Sequence, residues 1–443
     1  MLKQFADLGV GPGFLESLSK LKISIPTDIQ KKTIPVLLQQ TADVVGLAKT
    51  GSGKTVAFGL PLLQLIDTQK TTVQAVILVP TRELGQQIYA NLVSFASTVP
   101  EISIATACGG IPIKPQIERL SQPTHVLVAT PGRLIDLIQR NAVNVKAIST
   151  LVLDEADEMI TSLKKDLDVI IAELPKKRRT LLFTATMSGA VKQMIQNYMS
   201  KHVVHVSADM EQTGHTGIEH TYVVVAPIEK LEVLLHFLNS KEGERGIIFC
   251  KTKAAVNKLA KKLAINKFSS GAIHGSLSQG IRDRIMGQFR EGFIDILIAT
   301  DLAARGIDVK ETSFVVNYHL PDTYEAYVHR SGRTARAGAK GLSLSIIQQE
   351  ERNDIPDFEK ELGLVFTEVK KEDAENRDEI NLLLWAKKIF KTKPNRTLPL
   401  ETKEKVKTVF HHLTKEELIE KMLADYVVQN GIATSKPESS ESN

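Results

Sequence analysis

Short apolar runs alternate with segments of helical period along most of the chain. Between about residues 40 and 205 the runs 43–46, 76–79, 103–106, 125–128, 151–153 and 180–183 are each four or so apolar or β-branched residues. That is the length and composition of strands buried on both faces of a parallel sheet. A break rich in polar residues and glycine at 210–217 reads as a linker. The alternation then resumes with 221–225, 246–250, 271–273, 296–299, 314–316 and 341–346. The pattern predicts an α/β chain with two parallel-sheet domains of similar size. From about residue 366 lysine and glutamate increase and strand formers thin out. Thr414 and Glu417 form a capping box there, ahead of Leu418, Ile419, Met422, Leu423, Tyr426 and Val427 at three- and four-residue spacing, which predicts an amphipathic helix over about 415–429. A second helix is expected over 380–390, containing Trp385, and disorder from Ser435. The expected division is a first domain 1–207, a linker 208–217, a second domain 218–365, a helical extension 366–434 and a tail 435–443.

The polar residues cluster at the C-terminal ends of the predicted strands, where ligands of open α/β sheets bind. After the first strand comes Ala48-Lys49-Thr50-Gly51-Ser52-Gly53-Lys54-Thr55, then a helical pattern. Glycines in such a turn let backbone N–H groups converge on phosphates at a helix start. Lys54 then reaches the terminal phosphates and the Thr55 hydroxyl a magnesium ion. Ala48 stands where the strict pattern has glycine. About one hundred residues on, the strand 151–153 ends in Asp154 and Glu155. Asp154 is placed to hold magnesium, directly or through water, and Glu155 to orient and deprotonate an attacking water. The second half has no phosphate loop, so one nucleotide site is expected, completed by the second domain across a cleft.

Composition narrows the class. Apolar residues make up 42% and charged residues 24%, as in a globular protein, and the net charge of +5 is permissive for a polyanionic partner. No run of eighteen apolar residues occurs and the first residues lack the apolar core of a signal peptide, so no membrane role is expected. The two cysteines, Cys108 and Cys250, lack metal-ligand spacing and read as reduced thiols. A cytoplasmic location is expected.

Asp154-Glu155-Ala156-Asp157 spells the name-giving motif of the DEAD-box RNA helicases, and residues 5 to 346 resemble that family with its motifs in order. The stretches 79–84, 129–134, 299–308 and 329–336 carry the likeness, the last as His329-Arg330-Ser331-Gly332-Arg333-Thr334-Ala335-Arg336. The resemblance implies two tandem RecA-like domains with ATP and Mg2+ at their interface. It places the adenine-reading glutamine on Gln30 and an upstream aromatic on Phe5. It assigns Ala48, Thr50, Gly51, Ser52, Gly53, Lys54, Thr55, Gly306 and Asp308 to the nucleotide, Asp308 at the ribose. Arg333 and Arg336 match the arginine fingers, and Asp157, Thr184, Thr186 and His329 the elements that couple the two domains. Four positions depart from the family. Ile23 stands where an aromatic packs on adenine and follows Lys22 rather than glycine; Thr184 replaces a serine; Ala335 replaces a common glycine, which is tolerable unless the backbone there needs a positive φ.

The resemblance also implies an RNA surface across both domains. Its members are Arg82, Gly109, Gly110, Thr130 and Arg133 in the first, and Lys251, Thr252, Gly275, Gln279, Arg282 and Thr300 in the second. Glycines and hydroxyls at strand ends allow close approach to phosphates and 2′-hydroxyls, which reads RNA by shape rather than sequence. The basic run 176–179 precedes a strand and reads as a solvated turn. The expected activity is ATP-dependent, local unwinding of short RNA duplexes. An ATP-gated RNA clamp and a DNA-directed ATPase stay open as rivals, and the extension is expected to pack on the second domain or bind a partner through Trp385.

Overall fold

The computed structural model describes residues 3–48, 51–208, 217–304, 312–335, 340–369 and 399–429, together with 382, 385, 386 and 389; of 302 and 304 it gives the backbone alone. The chain divides into two compact units, 1–369 and 370–443.

The first unit contains two sheets of seven strands. The first is built from β1 (Asp43–Leu47), β2 (Ala75–Leu78), β3 (Ile104–Ala107), β4 (Val126–Ala129), β5 (Thr150–Leu153), β6 (Arg179–Thr184) and β7 (Val203–Ser207). The second is built from β8 (Ile218–Val224), β9 (Gly246–Phe249), β10 (Ser270–Ile273), β11 (Ile296–Ala299), β12 (Phe314–Asn317), β13 (Gly341–Ile347) and β14 (Thr367–Glu368). Their spatial orders are β3-β4-β2-β5-β6-β1-β7 and β10-β11-β9-β12-β13-β8-β14, the same topology twice, and every pairing is parallel. These are the two parallel-sheet domains that the apolar runs predict. Two details escaped the pattern. The strand β7 closes the first sheet beside β1, and β14 extends the second beyond residue 365, its neighbour Phe366 lying in a buried cluster with Tyr222 and Tyr327. A strand of two residues carries too little periodicity to be read from sequence.

Strand periodicity explains why the runs are apolar throughout. On the first sheet Val44, Ile77, Val128, Val152 and Leu181 face one core, while Val45, Val76, Leu127, Leu151 and Leu182 face the other. Both faces are covered by helices, so successive side chains are buried alternately on opposite sides.

Two local features bear on the departures from the family. Lys22 has φ +59° and Ala335 φ +55°, both in the left-handed region. The condition attached to Ala335 is therefore met, and the same holds for Lys22. An L side chain there costs about 1–2 kcal/mol, offset in part by the greater entropy glycine loses on folding, about 0.5–1 kcal/mol. We expect Lys22→Gly and Ala335→Gly each to stabilise the protein by up to about 1 kcal/mol, nearly additively because they lie in separate domains. Denaturant unfolding of the single and double variants checks this; loss of stability at either site would contradict the strain.

The second unit contains the helices Leu400–Phe410 and Lys415–Gln429. The capping box forms as expected: Thr414 N donates to Glu417 Oε2 at 2.8 Å and Glu417 N to Thr414 Oγ1 at 3.2 Å. Of the predicted helix 380–390 the described residues are helical, and the Trp385 ring stacks on Tyr426 with centroids 4.7 Å apart. The helix Leu400–Phe410 was not anticipated, and the tail from Ser435 lies outside the described residues.

Candidate functional site

The first-domain half of the site forms where β1 and β5 end. Gly51 and Gly53 take φ of +82° and +90°, and a side chain at Gly53 would collide with the Gln30 amide. Thr27 and Gln30 brace this turn from the preceding helix. Thr27 Oγ1 donates to Ser52 O at 2.8 Å, Gln30 Nε2 to Gly53 O at 3.1 Å, and Gln30 Oε1 accepts from Thr27 N at 3.0 Å. The glutamine expected at adenine thus also holds the phosphate loop, keeping one N–H and one lone pair for a base. Ala48 is fully buried, its N–H donating to Thr184 O at 3.0 Å. Ile23 is half-buried against the first core. Phe5, the upstream aromatic of the sequence reading, is 0% exposed inside that core. Thr50, Gly306, Asp308 and Arg336 lie outside the described residues.

Lys54 opens the helix Lys54–Gln64 with Thr55 next to it, and its Nζ stands 3.8 Å from Asp154 Oδ1. Among the described residues Lys54 Nζ and Glu155 Oε2 are buried without a hydrogen-bond partner. Glu155 has φ +54°, a strained geometry at the point where β5 turns into a helix. Burial, opposed by Lys54 and reinforced by Glu155, pushes the Asp154 carboxyl up to about 6. The buried Asp154 carboxyl with its raised pKa, the unbonded Glu155 Oε2 and the Lys54 ammonium form a cradle suited to charged ligand groups. Triphosphate oxygens and a small divalent cation would supply them, and a hydroxyl, a carboxylate and phosphates make a suitable donor set for magnesium.

Asp157 joins the domains. Its Oδ2 accepts from Ala185 N and Thr186 N, both at 3.2 Å, from Thr186 Oγ1 at 3.1 Å and from His329 Nε2 of the second domain at 3.3 Å. Thr184 contributes indirectly, donating from Oγ1 to Thr186 O at 2.9 Å. Burial raises Asp157, but the His329 hydrogen bond and charge outweigh it and hold the carboxyl well below its usual range. Burial likewise lowers His329, but Asp157 and then Glu155 override it against Arg333, and the net shift is upward. The ion pair is therefore complete from the depressed value of Asp157 up to the raised value of His329. It is lost as pH rises through the latter or falls through the former. With a non-hydrolysable ATP analogue, single-stranded RNA affinity should weaken as pH rises above the ordinary histidine range and through the raised value of His329. His329→Gln should flatten that profile; an identical profile in the variant would remove the histidine from the closure.

The helix Tyr324–Ser331 carries His329 and leads to Arg333, which is 4% exposed with Nε donating to His329 O at 3.2 Å. Arg330, given no role by the sequence reading, is the most committed cation of the second domain. It pairs with Asp301 through Nε and Nη2, donates to Asn317 Oδ1 and His319 O, and lies over the Phe249 ring. Its position inside 329–336 was the available signal.

The proposed RNA residues gather at the other edge of the cleft. Gly109 N donates to Thr130 Oγ1 at 3.1 Å, and Gly110, with φ +80°, lies beside Arg82 and Gln279. Lys251 and Thr252 follow β9, Gly275 follows β10 and Thr300 follows β11, with Thr300 N bonded to Ile273 O. Arg282 Nη2 reaches across the domains to Glu83 Oε1 at 2.8 Å, both side chains mostly buried. Arg133 is turned inward: Nη1 donates to Gln116 Oε1 at 2.6 Å and Nη2 to Ile111 O at 2.8 Å, while Gln116 Nε2 donates to Cys108 O at 3.0 Å. Gln116, 6% exposed, thus ties Arg133 to the glycine turn, and nothing in its sequence context marked it. The basic run 176–179 needs correction in its second half. Arg179 donates to the carbonyls of Val36, Leu37 and Ala42, and Arg178 to those of Pro175 and Tyr198, so these two are internal struts that satisfy orphaned carbonyls.

A phosphate loop on one parallel-sheet domain, and on a second of the same topology a buried arginine beside the Asp157–His329 contact that joins the two, define a two-domain nucleotide hydrolase of the helicase type. Comparison with known proteins sharpens this. The family described as DEAD/DEAH box helicase matches residues 27–195, the helicase conserved C-terminal domain 229–338, and the helical domain of a probable ATP-dependent RNA helicase 378–425. The chain is 36% identical over 357 residues to the DEAD-box ATP-dependent RNA helicase CshA of Bacillus cereus, covering 80% of this chain and 67% of that protein. It is 38% identical over 386 residues to the ATP-dependent RNA helicase DeaD of Escherichia coli, covering 87% of this chain and 61% of the relative. Among solved structures, S. cerevisiae Dbp5 bound to RNA and ADP BeF3 superimposes with a TM-score of 0.77 at 29% identity, covering 85% of this chain and 98% of that one. Mss116p bound to ssRNA and AMP-PNP gives 0.76 at 26% identity, covering 86% and 82%. The chain belongs to the DEAD-box family of ATP-dependent RNA helicases, in helicase superfamily 2. It spans about two thirds of the length of CshA. No helix among the described residues is long and apolar enough to cross a membrane.

Proposed function

We propose the following division of labour in the ATP-dependent RNA helicase reaction of this chain. Gly51 to Thr55 and Thr50 cradle the phosphates, with Lys54 on the terminal one and Gln30 and Ile23 at the base. Thr55 and Asp154 would hold Mg2+, which neutralises phosphate charge and orients the oxygens. Glu155 takes the proton of the attacking water, Arg333 and Arg336 neutralise the charge that develops on the transferred phosphoryl group, and Gly306 with Asp308 holds the ribose. RNA lies along Arg82, Gly109, Gly110, Thr130, Lys251, Thr252, Gly275, Gln279 and Thr300. Gln116 and Arg133 set the glycine turn, and Arg282 shares its charge with Glu83.

The observation that carries this reading is a pair of interdomain contacts, Asp157 with His329 on the nucleotide side and Glu83 with Arg282 on the RNA side. Each ligand therefore favours the same closed arrangement, and each tightens the other by the same factor. Relatives named as helicases favour unwinding over a clamp that only holds RNA. Local opening follows if the closed cleft accepts a strand geometry that an A-form duplex cannot follow. We place the protein in the cytoplasm. Steady-state hydrolysis with no nucleic acid, with single-stranded RNA, with the matching DNA, and with GTP in place of ATP tests the reading. Stimulation by RNA alone, dependent on ATP, is expected; equal stimulation by DNA would overturn the substrate assignment.

A further inference from the structure

Five surface lysines on the helices of this protein pair with an acid of their own helix. Lys20 with Glu16, Lys32 with Asp28, Lys164 with Asp168, Lys405 with Glu401 and Lys407 with Glu404 each form an ion pair one helical turn apart. Such pairs contribute a few tenths of a kcal/mol each and are the ordinary way to make a solvated helix face. The helix Lys253–Ile265 does the opposite. Between Lys251 and Lys267 the chain has six lysines and no acidic residue. Lys258 and Lys261 are exposed and Lys262 half-exposed, and among the described residues none of the three has a carboxylate partner. At spacings of three and four residues they share one face, where like charges oppose helix formation. A stripe that forgoes its stabilising pairs and retains repulsion is arranged for an anion from outside.

The location says which anion. Thr252 caps this helix, accepting from Ala255 N at 3.1 Å, and with Lys251 stands at the end of β9 among the residues proposed to contact RNA. Asn257, one turn along, accepts at Oδ1 from His274 Nε2 at 3.1 Å, and His274 precedes Gly275 of the same surface. His274 is 5% exposed, and its Nδ1 has no hydrogen-bond partner among the described residues. The helix of 13 residues, about 20 Å long, thus starts beside the proposed RNA surface, and Lys258, Lys261 and Lys262 lie from its middle onward.

We propose that the Lys258, Lys261 and Lys262 face is a second RNA-binding surface, which holds the phosphate backbone of the strand after it leaves the interdomain cleft. This rests on the RNA surface proposed above. It gives the protein a sequence-independent grip on RNA longer than the cleft can cover, through point charges that release counterions on binding.

The test uses the full chain and the variant Lys258→Gln/Lys261→Gln/Lys262→Gln, with single-stranded RNAs of about 8 and about 30 nucleotides, the shorter comparable to the site of one binding domain. As a control of equal charge, Lys20→Gln/Lys164→Gln/Lys405→Gln removes three paired lysines elsewhere. Affinity with a non-hydrolysable ATP analogue is measured over a range of salt. For the long RNA we expect about tenfold weaker binding and a log–log salt slope shallower by about 2, three charges at about 0.7 each. Short-RNA affinity and the control variant should match the wild type. Unchanged affinity and slope on long RNA would overturn the proposal, as would equal losses on both lengths or in the control. An acidic protein as the true partner would appear as the first of these outcomes. If the wild type binds neither RNA, the underlying RNA reading fails, and this inference with it.

Discussion

Glu155→Gln is expected to reduce RNA-stimulated turnover by at least about a hundredfold, since a general base contributes about 10²–10⁴ in rate. The substitution keeps size and hydrogen-bonding capacity but cannot accept the water's proton. It leaves the left-handed backbone at residue 155 as it is and adds no buried charge, so folding should be unaffected. Because the Asp157–His329 and Glu83–Arg282 contacts do not involve this carboxylate, closure should survive. The variant should therefore accumulate as a long-lived complex with RNA and ATP. Single-turnover hydrolysis together with RNA dissociation rates checks both halves. Turnover within about tenfold of wild type would remove Glu155 from the chemistry, because that is less than a positioned base contributes. Lost RNA retention would instead mean that closure depends on a charge at residue 155.

Arg333→Ala should lower kcat by about 10³ or more, the scale on which arginine fingers act in phosphoryl transfer. Arg333 follows the helix that His329 pins to Asp157, so its effect depends on closure. ADP binding to the open protein should be unchanged. Arg333→Lys should not restore the rate, since an ammonium offers a point charge in place of the planar fork. A loss explained by weaker ADP affinity, or recovered by lysine, would show that the residue supplies charge for binding rather than stabilisation of the transition state.

The carrying parts of the fold and site are local in sequence. Strands of four apolar residues, a glycine turn before a helix, a capping box at Thr414 and two acids after β5 each occupy a few consecutive positions. Except for the strained Glu155, their conformations follow from propensities that neighbours do not override. Most assigned residues accordingly lie together: Lys54 with Asp154, Asp157 with Thr186 and His329, Gly109 with Thr130. The sequence also marked Lys22 and Ala335 as departures, but whether each mattered depended on the sign of φ. That sign is set by how the chain leaves one element and enters the next.

Other residues had no local signature because their partners are remote. Arg179 satisfies carbonyls more than 130 residues upstream, and from sequence such an arginine is indistinguishable from a solvated one. Gln116, Arg330 and Glu83 likewise acquire their roles from partners that the sheet topology brings near, and Phe5 is withdrawn into the core by helices packed around it. Residue type and spacing thus determined the family and the two parallel-sheet domains. Tertiary structure alone decided which cations are struts and which face a ligand, because burial and pairing are properties of the surroundings rather than of the residue.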